Sequence, residues 1–224
     1  MKIAPLGDSA LTIELGNSIS PDISARAIAI ADHLDANRFP GLIECVPAYA
    51  SVAVFYDASE VRAAFPIHGT AFNAVREIAS KIDPANADES GELTRTIEIP
   101  VDFGPEAALD LEHVAMRSGL EPKNVVEIFL SGTYRVYMLG FLPGFAYMGS
   151  VDDRIATPRR ETPRKAVPKG SVGIAGVQTG VYPLESPGGW QIIGRTPIEI
   201  FVRDSDTPCL FTPGDDVRFT RLNS

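Results

Sequence analysis

The sequence predicts an α+β protein in two parts, and three observations carry that prediction. The first part alternates strand-like and helix-like hydrophobic periodicity. A short, polar, aperiodic stretch then interrupts it at residues 84–92, PANADESGE. After two further helical patterns the remainder reads as short apolar runs punctuated by glycine and proline, the pattern of a β-barrel or β-sandwich.

Taken in order, Ser9 to Leu15 (SALTIEL) alternates apolar and polar residues and predicts a strand. A helix is expected over Ser20 to Phe39. Ser20 suits its cap and Pro21 its first turn, while Ile23, Ala27, Ile30, Ala31 and Leu34 recur on one face. Gly41 ends that pattern. The β-rich runs Leu42 to Pro47 and Ser51 to Tyr56 are close enough to form a hairpin, and Thr70 to Ile82 repeats an apolar stripe through Phe72, Val75, Ile78, Ala79 and Ile82. Strand, helix, two strands and helix outline a small α+β sandwich of the ferredoxin-like kind. The polar stretch at 84–92 is read as the linker, dividing the chain into residues 1–88 and 89–224.

In the second part, Thr94 to Val101 alternates as a strand through Ile97, Ile99 and Val101. Helices are expected at Asp110 to Ser118, stopped by Gly119, and at Pro122 to Leu130. Strands follow at Thr133 to Phe141, Gly170 to Val177, Trp190 to Ile193, Ile198 to Val202 and Asp216 to Leu222. Between Leu139 and Pro197 lie ten of the nineteen glycines and seven of the eighteen prolines, so the loops of this part are unusually constrained.

Composition narrows the function. A 224-residue chain that is 45% hydrophobic can bury a proper core, and no run approaches the length of a membrane span. Asp8 and Glu14 interrupt the N-terminal stretch where a signal peptide needs apolar residues, so the expected compartment is the cytoplasm. Cys45 and Cys209 form no paired motif and are expected as buried small hydrophobes. A net charge of −9 argues against a nucleic-acid binder.

The chain lacks a GxxxxGK[ST] phosphate loop, a GxGxxG fingerprint, a GxSxG elbow and HExxH spacing, and its three histidines are isolated, so no metal site is predicted. What remains is a set of donors in loops. One run carries Arg154, Arg159, Arg160, Arg164, Lys165 and Lys169 against the single acid Glu161. Such a run serves either as solvated loop charge or as a carboxylate or phosphate dock. Arg159, Arg160, Arg164 and Lys169 are candidates for anion binding, Gln178, Tyr182 and Ser186 for hydrogen bonding, and Trp190 for an apolar wall. Gly188 and Gly189 in SPGGW form either a tight turn or an approach of backbone N–H groups to an oxyanion. The catalytic residues are not assigned.

Two phrases, GFLPGFAYMG and SVGIAGVQTGVYPLESPGGWQIIGRTP, carry a resemblance to the family of 5-oxoprolinase B subunits, also filed as allophanate hydrolase subunit 1 and as sporulation-kinase inhibitor proteins. The resemblance runs over essentially the full length and is densest from Tyr134 to Pro197. It implies a small N-terminal α+β domain and a C-terminal cyclophilin-like β-barrel. It also implies partners, the C and A subunits of 5-oxoprolinase, the former itself cyclophilin-like. With them such proteins form an ATP-dependent hydrolase opening 5-oxoproline to glutamate, the ATP bound here or by a partner. An alternative within the same family is a regulator that binds a sensor histidine kinase. The resemblance further implies a histidine shortly before the YRVYMLGF strand, where this chain has Leu130 in FLSGTYRV.

Overall fold

The computed structural model describes residues 1–82 and 95–222. They fall into two compact units, one within Met1–Leu93 and one within Thr94–Ser224. The expected linker at 84–92, and the boundary drawn in it, lie outside the described residues.

The first unit is an antiparallel four-stranded sheet with helices packed on it. β1 (Lys2–Pro5) and β2 (Ala10–Glu14) form a hairpin; α1 (Pro21–Ala36), β3 (Leu42–Pro47), β4 (Ser51–Tyr56), α2 (Ala58–Ala64) and α3 (Ala71–Ser80) follow, in the sheet order β1-β2-β4-β3. Alternation on β4 sends Val52, Val54 and Tyr56 to the interior, where they meet Leu11 and Ile13 of β2, Ile30 and Leu34 of α1 and Val75 of α3. Ser20 holds extended backbone at the start of α1, but its hydroxyl makes no capping bond there, so Pro21 carries that helix start. Two elements escape the sequence reading. β1 is a four-residue edge strand ending in Pro5, tolerated because an edge strand has no second neighbour needing every N–H. α2 is a seven-residue helix begun by Asp57, whose carboxylate accepts from the N–H groups of Ser59 (2.8 Å) and Glu60 (3.1 Å).

The second unit is a nearly closed β-barrel. Its strands are β5 (Thr96–Val101), β6 (Tyr134–Leu139), β7 (Ala146–Gly149), β9 (Ser171–Ala175), β10 (Gln178–Val181), β12 (Gln191–Arg195) and β13 (Asp216–Arg221), with β8 (Arg164–Val167) and β11 (Ser186–Gly188) forming a separate two-stranded ribbon. The sheet runs β12-β9-β10-β7-β6-β13-β5, and only β13 and β5 are parallel. Closure comes just past β5, where Asp102 and Arg195 exchange backbone hydrogen bonds of 2.8 and 2.9 Å. α4 (Leu111–Ser118) and α5 (Pro122–Leu130) occupy the expected segments, and Gly119 ends α4 in the left-handed conformation. Ile198 to Val202 is not a strand. Of that run only Ile200 is buried, and it joins the structure through a lone bridge between Phe201 and Cys209.

The two-residue period of the strands divides the apolar residues of this unit between two clusters. Ala146, Met148, Val172, Ile174, Val181 and Ile193 belong to the main core, with Phe129, Tyr134 and Phe219. Their neighbours Phe145, Ala175, Tyr182 and Ile192 face the other way and form a smaller cluster with Val167 of the ribbon and Trp190. Leu130 packs against the main core as a partly buried residue.

Candidate functional site

The ribbon makes the basic run and the SPGGW turn one structure. Val167 pairs with Ser186 and Arg164 with Gly188, a bulge adjusting the register between them, and the Arg160 N–H donates to the Gly189 carbonyl at 2.7 Å. Beneath lies Asp110, at the start of α4 and 3% exposed. One carboxylate oxygen accepts from Arg160 (2.8 Å) and Arg164 (2.7 Å), the other from Arg164 (2.8 Å) and the Ile192 N–H (2.7 Å). A buried carboxylate is tolerable only when its lone pairs are filled in this way. Asp110 therefore ties Arg160 and Arg164 of the loop to the start of α4 and offsets one of the loop's positive charges.

Above the smaller cluster opens a pocket of about 220 Å³. Phe145 is its hub, with edge-on contacts to Tyr182 and Trp190 at 5.4 Å each and to Tyr147 at 4.9 Å between ring centroids. The Arg159 guanidinium carbon stands 5.9 Å from the Trp190 ring centroid, placing a cation against an aromatic wall. Gly188 and Gly189 complete the lining. At the mouth, Phe141 is 59% exposed and holds φ of 69°, inside a three-residue turn closed by the Leu142 N–H to the Gly140 carbonyl at 2.9 Å. That conformation is strained for a bulky side chain and presents the ring 5.5 Å from Phe145.

The Tyr182 phenol is held above its ordinary pKa by burial, a hydrogen bond from the Trp190 main chain acting in the opposite direction.

Of the sequence candidates, Arg159, Tyr182, Gly188, Gly189 and Trp190 come together around this pocket. Five do not line it. Arg160 and Arg164 are turned onto Asp110. Lys169 is paired with Glu199 beside a separate groove of about 340 Å³. Gln178 opens β10 opposite Ala175 and Gly149, and the Ser186 hydroxyl donates to the Pro187 carbonyl at 3.3 Å. Sequence reasoning missed Asp110, whose partners lie 50 and 54 residues away, and the aromatic residues Phe141, Phe145 and Tyr147. The phrase GFAYMG held the signal for the last two, as alternation toward one face. Among the described residues no three His, Cys, Asp or Glu side chains gather closely enough to hold a metal ion, and no helix is long and apolar enough to cross a membrane.

Residues 1–211 match the family model described as carboxyltransferase domain, subdomain C and D. The chain is 44% identical to the 5-oxoprolinase B subunit of Bacillus subtilis (strain 168), over 99% of this chain and 93% of the relative. Among solved structures it is similar to TTHA0988, with a TM-score of 0.82 and 33% identity over 96% of this chain, which spans 40% of that longer one. It is also similar to the conserved protein PH0987 from Pyrococcus horikoshii, with 44% identity and a TM-score of 0.55 over 99% of this chain and 98% of that one.

Proposed function

Since the chain belongs to the family of 5-oxoprolinase B subunits, we propose that it is the B subunit of an ATP-dependent 5-oxoprolinase, working in the cytoplasm with the C and A subunits. In this reading the first unit is a ferredoxin-like domain, the second a cyclophilin-like barrel, and the boundary falls near residue 88. The aromatic pocket with Arg159 against Trp190 is the observation that carries the reading. Its volume suits a small ring rather than a long chain. Phe145, Tyr147 and Trp190 offer apolar walls to a five-membered lactam, and Arg159 offers a fork of donors to its carboxylate.

A lactam resists attack by water because nitrogen donates its electron pair into the carbonyl. Transfer of the ATP γ-phosphoryl group to the lactam oxygen, with release of ADP, makes the ring carbon electrophilic. Water then adds to that carbon and the carbon–nitrogen bond opens, the nitrogen taking up a proton, to give the γ-carboxyl acyl phosphate of glutamate. A second water hydrolyses this acyl phosphate to glutamate and inorganic phosphate. This chain's part is to hold the ring and exclude bulk water from it, while ATP is bound within the complex.

The test is glutamate release from 5-oxoproline and ATP by the chain alone, with the C subunit, and with both partners. Turnover is expected only in the complete mixture. Arg159→Ala should raise KM for 5-oxoproline by roughly tenfold or more, the worth of one charge-assisted hydrogen bond. A well-formed complex without turnover would overturn the proposal and favour the kinase-regulator alternative.

A further inference from the structure

Arg159 also lines a second, wider depression of about 610 Å³. One wall is α4, which presents His113 and Arg117 four residues apart and therefore on one face. The other is the loop Thr157 to Thr162, which brings Arg159 and Arg160, with Glu161 as the single acid. In a chain of net charge −9 this is a local concentration of the opposite sign.

The bonding within the depression separates scaffold from free donors. Arg160 is spent on Asp110, which fixes the loop against the start of α4. Arg117 and His113 are exposed and make no ion pair among the described residues, and the recorded contact of the Arg159 head is with the Trp190 ring. Two guanidinium forks and an imidazole thus remain around a depression whose loop is tied to the start of α4 through Asp110.

From this we infer that the depression is a phosphate site, taking inorganic phosphate or the phosphate of a small monoester or nucleotide. A lone carboxylate is satisfied by one bidentate arginine. The guanidiniums of Arg117 and Arg159 match a dianion, and their donors together with the imidazole suit three terminal oxygens. Arg159 borders both cavities, so it serves phosphate here when it is not engaged by the lactam carboxylate proposed above. The site stands on this geometry alone and does not require the activity proposed above.

The experiment is calorimetric titration of the full chain with inorganic phosphate, and separately with ADP and ATP, at ionic strength held constant with chloride. Saturable binding is expected. Arg117→Ala should weaken it roughly tenfold, the equivalent of one charge-assisted contact, whereas Arg203→Ala removes an exposed arginine of the same unit and should leave it unchanged. Both variants alter exposed side chains, and their melting curves verify the fold. Phosphate binding as tightly as the nucleotides would identify free phosphate or a small monoester as the ligand; nucleotides binding much more tightly, with the same loss in Arg117→Ala, would identify a nucleotide phosphate. Linear heats without saturation, equal losses in the two variants, or equal competition by acetate would overturn the proposal.

Discussion

Gly188 decides the shape of the aromatic pocket. A Cβ built there would lie 2.4 Å from the Tyr182 hydroxyl oxygen and 2.9 Å from the ring carbon bearing it, and Tyr182 is fully buried, so the ring must shift. At Gly189 the nearest heavy atom would be 3.6 Å away, an ordinary contact. Gly188→Ala is therefore expected to lower unfolding free energy by about 1–3 kcal/mol, as overpacking does, and Gly189→Ala by less than about 1 kcal/mol. Urea unfolding of the two variants side by side checks this; equal losses would contradict it. Cys45 supplies a separate residue-level expectation. Burial, reinforced by Asp35 and Glu44 and opposed by Arg38, pushes its thiol up to about 12. An acid whose folded pKa is raised binds its proton more tightly in the native state, so its effect on stability is absent below the unfolded thiol pKa and becomes a loss as pH rises past it, growing up to pH about 12. At pH 8 its alkylation by iodoacetamide should be roughly a thousandfold slower than that of a free thiol until the protein unfolds, since the thiolate is the reacting form.

At the level of elements, the basic loop, the ribbon and α4 form one assembly through a single carboxylate. Asp110→Asn keeps the volume but removes the charge that Arg160 and Arg164 surround and one of the acceptors they use. The expected cost is about 3 kcal/mol, that of breaking a buried ion pair from one side. Trypsin should then cut after Arg160 and Arg164 much faster than in the parent chain, with mass spectrometry locating the cuts; unchanged cleavage would show that the ribbon holds the loop by itself. The same assembly shows where sequence reasoning reaches its range. β2, β4, α1, α3, α4 and α5 were legible because each buries one face, and burial of one face imposes a period. β7, β8 and β11 are three or four residues long, too short for a period, and they exist because partners distant in sequence supply their hydrogen bonds. Ile198 to Val202 had the period without a partner strand and forms only a bridge. For the site the lesson is similar. The donors and Trp190 were visible by residue type, but which arginine stays free depends on Asp110, whose side chain meets Arg160 and Arg164 only after folding.

Across the whole molecule, the buried apolar residues described sort into cores that each belong to one unit. Leu11, Ile30, Val54 and Val75 belong to the first unit's cluster, and every member of the two clusters around the barrel lies at or beyond Ile97. The barrel needs nothing from the first unit to close, because β5 and β12 are joined through Asp102 and Arg195 of the same unit. Each unit therefore has what independent folding requires: its own buried interior and complete pairing of its sheet order. Residues 1–88 and 89–224 expressed separately are each expected to give a single cooperative urea transition and dispersed amide NMR signals. The barrel fragment should show the steeper denaturant dependence, because it exposes more surface on unfolding. If either fragment instead gives a broad, non-cooperative transition, its core depends on the other half of the chain. Cooperative folding of both would let the barrel fragment be used alone to ask whether the aromatic pocket and the basic depression bind their ligands without the N-terminal unit.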